Sequence, residues 1–478
     1  MEADKGGQMR WASWVWPVGM LLVGFAAFAT VALRLIARLP PAGDEPWYLL
    51  QAVALARYHT PDLAPVLRDH ALYQHLLGAQ VDDHTYDYVG NGERMLTYLP
   101  GYAAAIALPY ALGGRTLVVI AQAVAAAVTG MLVYGEAWRL FRSRPVALMA
   151  WLAYLAPLPV ALYAGQLFPS TLAACALMLG YVVAVRWLPG ARGWRLLAVS
   201  GLVGLLAVAL PWLHIKYALA GLALAGIALA ALLLKGDERD KAGLAPGLPA
   251  RERWIAAALL GGLVLIGYAL VAVYSRHYFG AWTPPNSRAQ ADLRHPNLHA
   301  LGTVYADMFL SSVNGLLPWV PLDLLVVPGV VVLWRRHAWR GRAIAVLIAA
   351  LMGAFVTAAF SSVGQGKAMP GRFTLECAPF FALCVAAAVA PLLPAGGWRD
   401  TLRALRTSLR TALPWRSIAR GLGLAGVCGL LLVTAWFAAV GRSDPALLYP
   451  GPSGPNLVVR YPDALPQWWF GVFPPLPG

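Results

Sequence analysis

The chain alternates long apolar runs with short basic or mixed connectors. Runs of about 20 residues nearly free of charge match the length an α-helix needs to cross the hydrocarbon core of a bilayer. Eleven such spans are predicted, at 14–33, 116–138, 146–163, 170–188, 196–213, 217–234, 254–275, 316–334, 343–363, 373–394 and 421–440. The first is expected to remain a span and not a cleaved signal, because it is long and no small-residue cleavage site precedes Arg34 and Arg38. A further apolar stretch, YLPGYAAAIALPYAL at 98–112, is only 15 residues long and contains Pro100 and Pro109. That is short for a crossing, so it is expected to lie in the membrane interface. This pattern predicts an all-α polytopic membrane protein.

Composition agrees and narrows the class. Of 478 residues, 59% are hydrophobic and 12% charged, against about 25% charged in soluble domains. A soluble multidomain protein, a disordered chain and a disulfide-stapled secreted protein are all excluded. The four cysteines (Cys175, Cys377, Cys384 and Cys428) sit in apolar stretches without metal-ligand spacing, and read as small hydrophobes.

The net charge of +15 raises the question of which side of the membrane carries it. Basic residues favour the cytoplasmic side of short loops. With 98–112 in the interface, RLFRSRP at 139–145 and every later basic loop face the cytoplasm, and with 98–112 as a crossing they would all flip. The first arrangement places 23 of the 37 Lys and Arg inside with 8 of the 22 acids, so the inside carries +15 and the outside is balanced. The expected topology has a cytoplasmic N-terminus and an outer C-terminus, as a multi-pass protein of the cytoplasmic membrane. The charge then marks orientation in the lipid bilayer, and nucleic acid is not expected as a partner.

Two segments face outward on this reading, the loop 34–115 and the tail 442–478, which is rich in Pro, Gly and Trp and is expected to be irregular. The chain thus divides into a transmembrane domain at 1–441, which includes the outer loop, and the tail. On the inside, WRDTLRALRTSLRTALPW at 398–415 spaces Arg399, Arg403, Arg406 and Arg410 along one face, the pattern of an interfacial helix on anionic lipid. KGDERDKAGLAPGLPARER at 235–253 reads as a charged connector.

Chemistry is expected in the first outer loop. GDEPWYLL at 43–50 places Asp44 and Glu45 directly ahead of Pro46, at the start of a predicted helix over 46–58 that is apolar enough to lie on the membrane surface. The two acids either cap that helix or act on a substrate at the interface, where carboxylates are costly to bury.

An acidic pair just after the first span, in a long outer loop, resembles the GT-C superfamily of integral-membrane glycosyltransferases that use polyprenyl-phosphate sugars. Protein O-mannosyltransferases and lipid A aminoarabinose transferases are relatives. The similarity also runs through TYLPGYAAAIALPYALGGR (97–115), YAGQLFPSTLAA (163–174), LPWLHIKYAL (210–219), NGLLPWVPLDLL (314–325) and GQGKAMPGRF (364–373), and points to a bacterial branch. It implies a GT-C-like fold and a sugar moved from a lipid-phosphate donor to an acceptor (lipid, glycan or protein) on the outer side.

The residues are compatible with that chemistry. No Walker loop or Rossmann glycine fingerprint occurs, and an outer site has no nucleotide sugars, so the donor must arrive on a membrane carrier. Transfer needs a base for the acceptor hydroxyl and cations for the phosphate leaving group. One carboxylate suffices for an inverting single displacement, while retention would call for a second one. The resemblance implies Asp44 as base, with Glu45 as its substitute or orienter.

It also implies that Lys216, in a tight outer turn with His214 and Tyr217, meets the donor phosphate. A lysine snorkelling to the interface and a packed or capping histidine are the alternatives. Lys367 and Arg372 flank MPG in the loop 364–372, and Arg372 could bind phosphate bidentately or equally hold the loop. Gln365 could contact sugar hydroxyls. Related enzymes often carry a second acid at the outer start of the fourth span, where this chain has Ser170, which weakens the case for a metal-assisted mechanism. Asp82, Asp83, His84 and Asp87 could hold a divalent cation through oxygen, though a solvated acidic loop fits them as well, and no cofactor is required. Asp307 and Asp323 could line the pocket. Competing functions are a transporter or flippase of lipid-linked sugars and a non-catalytic envelope-assembly protein. A transporter would show charged span centres and inverted repeats, which this sequence lacks.

Overall fold

The computed structural model describes residues 8–41, 44–72, 87–90, 93–233, 249–284, 302, 306, 308–311, 315–335, 342–360, 371–393 and 415–443. The expected cation loop at 82–84, the amphipathic segment 398–414, most of the connector 235–253, Gln365, Lys367, Asp307 and the tail 444–478 lie outside these residues.

Long apolar helices dominate. They are α1 (Gln8–Arg38), α2 (Glu45–Val53), α3 (Ala64–Arg68), α4 (Gly101–Phe141), α5 (Arg144–Leu155), α6 (Leu158–Tyr163), α7 (Pro169–Val182), α8 (Trp194–Leu213), α9 (Ala218–Leu233), α10 (Ala250–Phe279), α11 (Leu316–Trp319), α12 (Val326–Arg335), α13 (Arg342–Phe360), α14 (Ala378–Val389) and α15 (Trp415–Ser443). Among the described residues, eight helical stretches are long and apolar enough to cross a membrane. Their outward faces are apolar too, with Leu108, Leu112, Leu265, Ile266, Leu422 and Leu432 all strongly exposed. Hydrocarbon tolerates such a surface and water does not. The chain is a multi-pass membrane protein.

Eight of the eleven expected spans correspond to these stretches, and the other three differ. The run 146–163 breaks at Ala156–Pro157 into α5 and α6, and the run 316–334 becomes α11, a 3₁₀ turn at Pro321–Leu325, and α12. Prolines supply no N–H and clash with the preceding helical turn, and Pro157, Pro159, Pro318 and Pro321 sit at these breaks. The run 343–363 is present as the helix α13, of which Ala343–Gly353 stands out as a shorter apolar stretch.

The stretch 98–112 is helical from Gly101 and continuous with α4, but the backbone breaks at Gly113–Gly114, where Gly114 takes φ 59°. Glycine is suited to that left-handed conformation. Tyr102 packs on Tyr48 of α2, while Arg115 donates to the Leu39 carbonyl and approaches Glu45. Both ends of the segment therefore stay at the end of the bundle that carries α2. Beyond the break α4 runs unbroken through the bundle, against α1, α5 and α7.

The helix expected on the membrane surface at 46–58 lies largely inside the protein, and only its last residues, Arg57 and Tyr58, are exposed. All nine residues of α2 are buried within the protein, Trp47, Tyr48, Leu49 and Leu50 almost completely. A helix apolar on every side seeks an interior, and here protein supplies it. Nearby, β1 (Asp87–Gly90) and β2 (Glu93–Leu96) form a small antiparallel hairpin with Asp87 opposite Leu96. Asp62 ties it down by accepting from the backbone N–H groups of Ala64 and Arg94, each at 2.9 Å.

The four cysteines are free; Cys377 and Cys384 are buried, Cys175 is partly so, and Cys428 is exposed on the outer face of α15.

Candidate active site

The acids of the first loop do not cap their helix. Asp44 occupies the N-cap position of α2 in helical backbone conformation and makes no side-chain cap hydrogen bond. Its carboxylate instead receives the guanidinium of Arg372, from the far side of the sequence. Glu45 is also turned away: one oxygen accepts the backbone N–H of Leu167 at 2.7 Å, and the other lies 3.6 Å from Arg115. Both acids are almost fully buried, and buried carboxylates persist only when paired or hydrogen-bonded.

Arg372 is placed by local backbone geometry. Gly371 takes φ 73°, and a Cβ there would come within 2.9 Å of Pro159. Glycine at 371 therefore lets the chain turn tightly into the 3₁₀ segment Arg372–Cys377, a turn closed by Thr374 donating to the Gly371 carbonyl. The guanidinium lies over the ring of Phe168 at 4.4 Å, a cation–π contact that favours it further. Burial works against its charge, but Asp44 together with Tyr163, Tyr98 and Tyr48 outweighs this and pushes the Arg372 pKa up, so the group stays protonated.

A second ion pair sits beside the first. Lys216, in the 3₁₀ turn between α8 and α9, is buried 3.4 Å from Glu376 and lies over the ring of Tyr217 at 4.9 Å. His214 caps that turn, its Nδ1 accepting the Lys216 backbone N–H at 3.2 Å. Nδ1 is therefore unprotonated. Burial, with Lys216 and Arg372 nearby, holds the His214 pKa well below the ordinary histidine value, so the ring is neutral at pH 7.

Aromatic rings fill the space between the charges. Tyr48 stacks on Tyr98 at 5.5 Å and meets Tyr102 and Phe168 edge-on, and Tyr98 reaches His214 at 5.6 Å. Burial, with Asp44 beside it, raises the Tyr48 phenol well above its usual pKa, so Tyr48 offers a neutral hydroxyl. The Tyr217 hydroxyl lies 3.0 Å from that of Ser170.

The result is one cluster at one end of the bundle. It contains Asp44, Glu45, His214, Lys216, Tyr217 and Arg372 from the sequence expectations, drawn from three separate stretches. Two members were missed: Glu376 and Arg115, the partners of Lys216 and Glu45. Glu376 could have been found as the single acid inside the apolar run RFTLECAPFF, and Arg115 as the only charge between the interface segment and the next span. Asp323 is buried behind Gly371, beside a cavity of about 10 Å³, room for one water molecule. Asp87 pairs with Leu96 in the hairpin. Among the described residues, no three His, Cys, Asp or Glu side chains gather closely enough to hold a metal.

Comparison with solved structures finds distant likenesses. ArnT from Cupriavidus metallidurans in the apo state superimposes with a TM-score of 0.45 at 16% identity, covering 90% of this chain and 72% of that one. The same protein bound to undecaprenyl phosphate gives 0.45 at 14% identity, with 92% and 73% covered. The Archaeoglobus fulgidus oligosaccharyltransferase in the apo form gives 0.47 at 15% identity, and this chain spans 60% of its length. No family model and no curated protein matches the chain. These distant likenesses assign no residue a role.

Proposed function

We propose that this protein is a glycosyltransferase that moves a sugar from a polyprenyl-phosphate donor to an acceptor on the outer side of the cytoplasmic membrane. The observation that carries the reading is the Asp44–Arg372 pair: a carboxylate freed from capping and a guanidinium, buried together among aromatic rings. These are a proton acceptor and a phosphate-binding cation, the two groups such a transfer needs.

In the proposed step, the acceptor oxygen attacks the anomeric carbon while its proton passes to a carboxylate oxygen of Asp44. The bond from the anomeric carbon to the phosphate oxygen breaks, and its electron pair leaves with polyprenyl phosphate. Arg372 and Lys216 stabilise that anion. A single displacement of this kind inverts the sugar. Before the donor arrives, Arg372 is held by Asp44 and Lys216 by Glu376. A donor phosphate competes for both cations, which opens an Asp44 oxygen to the acceptor. Glu45 serves as orienter, fixing the start of α2 through the Leu167 N–H and Arg115. His214, neutral and engaged in capping, positions Lys216. Gln166, buried in the same loop as Leu167 with its side-chain oxygen lacking a hydrogen-bond partner, is a candidate contact for a sugar hydroxyl. No step depends on a metal ion.

The test uses membranes containing the protein and a panel of undecaprenyl-phosphate-linked hexoses and pentoses, with release of undecaprenyl phosphate as the readout. The reading expects release from at least one donor and its loss in Arg372→Ala. Release from none, or full release by that variant, contradicts it.

A further inference from the structure

The opposite end of the bundle holds a second built feature. After the break at Gly113–Gly114, α4 is continuous. From Arg115 to Glu136 it covers about 30 Å at 1.5 Å per residue, the thickness of the hydrocarbon core. There, a cavity of about 490 Å³ opens between α1, α4, α5 and the end of α7, within the size range of small-ligand sites. Trp16, Trp138 and Trp187 line it, together with Arg144, Arg186 and Glu136.

Its electrostatics are one-sided. Glu136 is buried, and its carboxylate is taken by Arg139 through two hydrogen bonds of 3.0 and 2.9 Å. With Arg139 and Glu136 cancelling, Arg144 and Arg186 leave a charge of +2 at the cavity. The Arg144 guanidinium stands 5.8 Å from the ring centres of both Trp16 and Trp138, so aromatic faces fix it at the mouth. Trp16 and Trp187 are about half exposed, and indole is suited to the boundary between headgroups and hydrocarbon. An apolar wall, two arginines and a position one membrane thickness from the Asp44 site fit a ligand with an anionic head and a greasy tail.

We propose that this cavity binds an anionic glycerophospholipid, its phosphate against Arg144 and Arg186 and its acyl chains along Trp16, Trp138 and Trp187. The site is independent of the proposed sugar transfer. A plain aromatic belt would give similar residues without a cavity, and the protein contains such a case: Arg195 over the exposed Trp194, at 5.9 Å.

Native mass spectrometry of the purified full-length protein, titrated with dioleoylphosphatidylglycerol, dioleoylphosphatidylcholine or undecaprenyl phosphate, tests the proposal. The wild type should retain phosphatidylglycerol in preference to phosphatidylcholine. The double variant Arg144→Gln/Arg186→Gln should weaken that retention about tenfold or more, and Arg195→Gln should leave it unchanged. A thermal melt in detergent checks that the double variant is folded; if it is not, the single variant Arg186→Gln, which disturbs no arginine–tryptophan contact, is read in its place. Equal retention of the two phospholipids overturns the proposal. So does phosphatidylglycerol binding that survives the Arg186 substitution, or displacement of phosphatidylglycerol by an equimolar amount of undecaprenyl phosphate.

Discussion

The two ends of the bundle handle charge in opposite ways. At the Asp44 end, buried acids are paired: Asp44 with the half-buried Arg372, Glu45 with the half-buried Arg115, and Glu376 with the buried Lys216. At the other end, Arg144 and Arg186 are exposed at the mouth of a cavity, and Arg144 faces two tryptophans. An exposed arginine at a membrane interface costs little to hold. A buried ion pair is expensive to desolvate, and replacement by apolar residues often loses nothing in stability. Three buried acids, each paired, in one cluster therefore argue for a use other than holding the fold, and transfer chemistry supplies one.

The contrast can be broken by substitution, and the largest effect is expected at Arg372. Arg372→Ala strands Asp44 as a buried charge and removes a phosphate cation. Stability should fall by roughly 3–5 kcal/mol, measured by thermal melting in detergent, and residual transfer by about 10²–10³-fold. Next comes the second pair: Lys216→Met or Glu376→Gln alone should destabilise measurably, whereas Lys216→Met combined with Glu376→Leu should recover most of the loss while transfer stays low. Recovery of transfer in the double variant would make that pair purely structural.

A smaller effect should follow pH. Because His214 is held below its ordinary pKa when folded, the unfolded chain takes up its proton first as pH falls through about 6.5. Stability should then decline on acidification, by at most about 1.4 kcal/mol per pH unit from this group, until the folded histidine also protonates. Melts from pH 7.5 to 5 should show this slope flattened in His214→Asn, whose amide oxygen keeps the cap. The least effect is expected at the other end. Arg144→Gln loses exposed cation–π contacts, about 0.5–1 kcal/mol each, and should leave sugar transfer intact.

Much of this arrangement could be read from local patterns. Asp44 and Glu45 stand out because acids at a membrane exit are rare, and Lys216 and Arg372 because each is a cation beside a span. Their partners were not readable in the same way. Arg372 reaches Asp44 across 328 positions and Lys216 reaches Glu376 across 160, and no local pattern encodes pairings at that range. The α2 helix was expected on the membrane surface and is buried in protein, because apolar side chains alone do not distinguish lipid from a protein interior. The broken runs at 146–163 and 316–334 show the same limit. Hydropathy averages across Pro157, Pro318 and Pro321, while the backbone cannot continue through them as one helix.

The central claim is that Asp44 takes the acceptor proton, and Asp44→Asn tests it most directly. The variant keeps the shape of the side chain and removes its basicity. Donor turnover and donor binding should be measured together on the same purified protein in lipid. The account predicts that turnover falls by about 10²–10⁴-fold while the undecaprenyl-phosphate-linked donor still binds, since Arg372 and Lys216 remain. Turnover at the wild-type rate would contradict it.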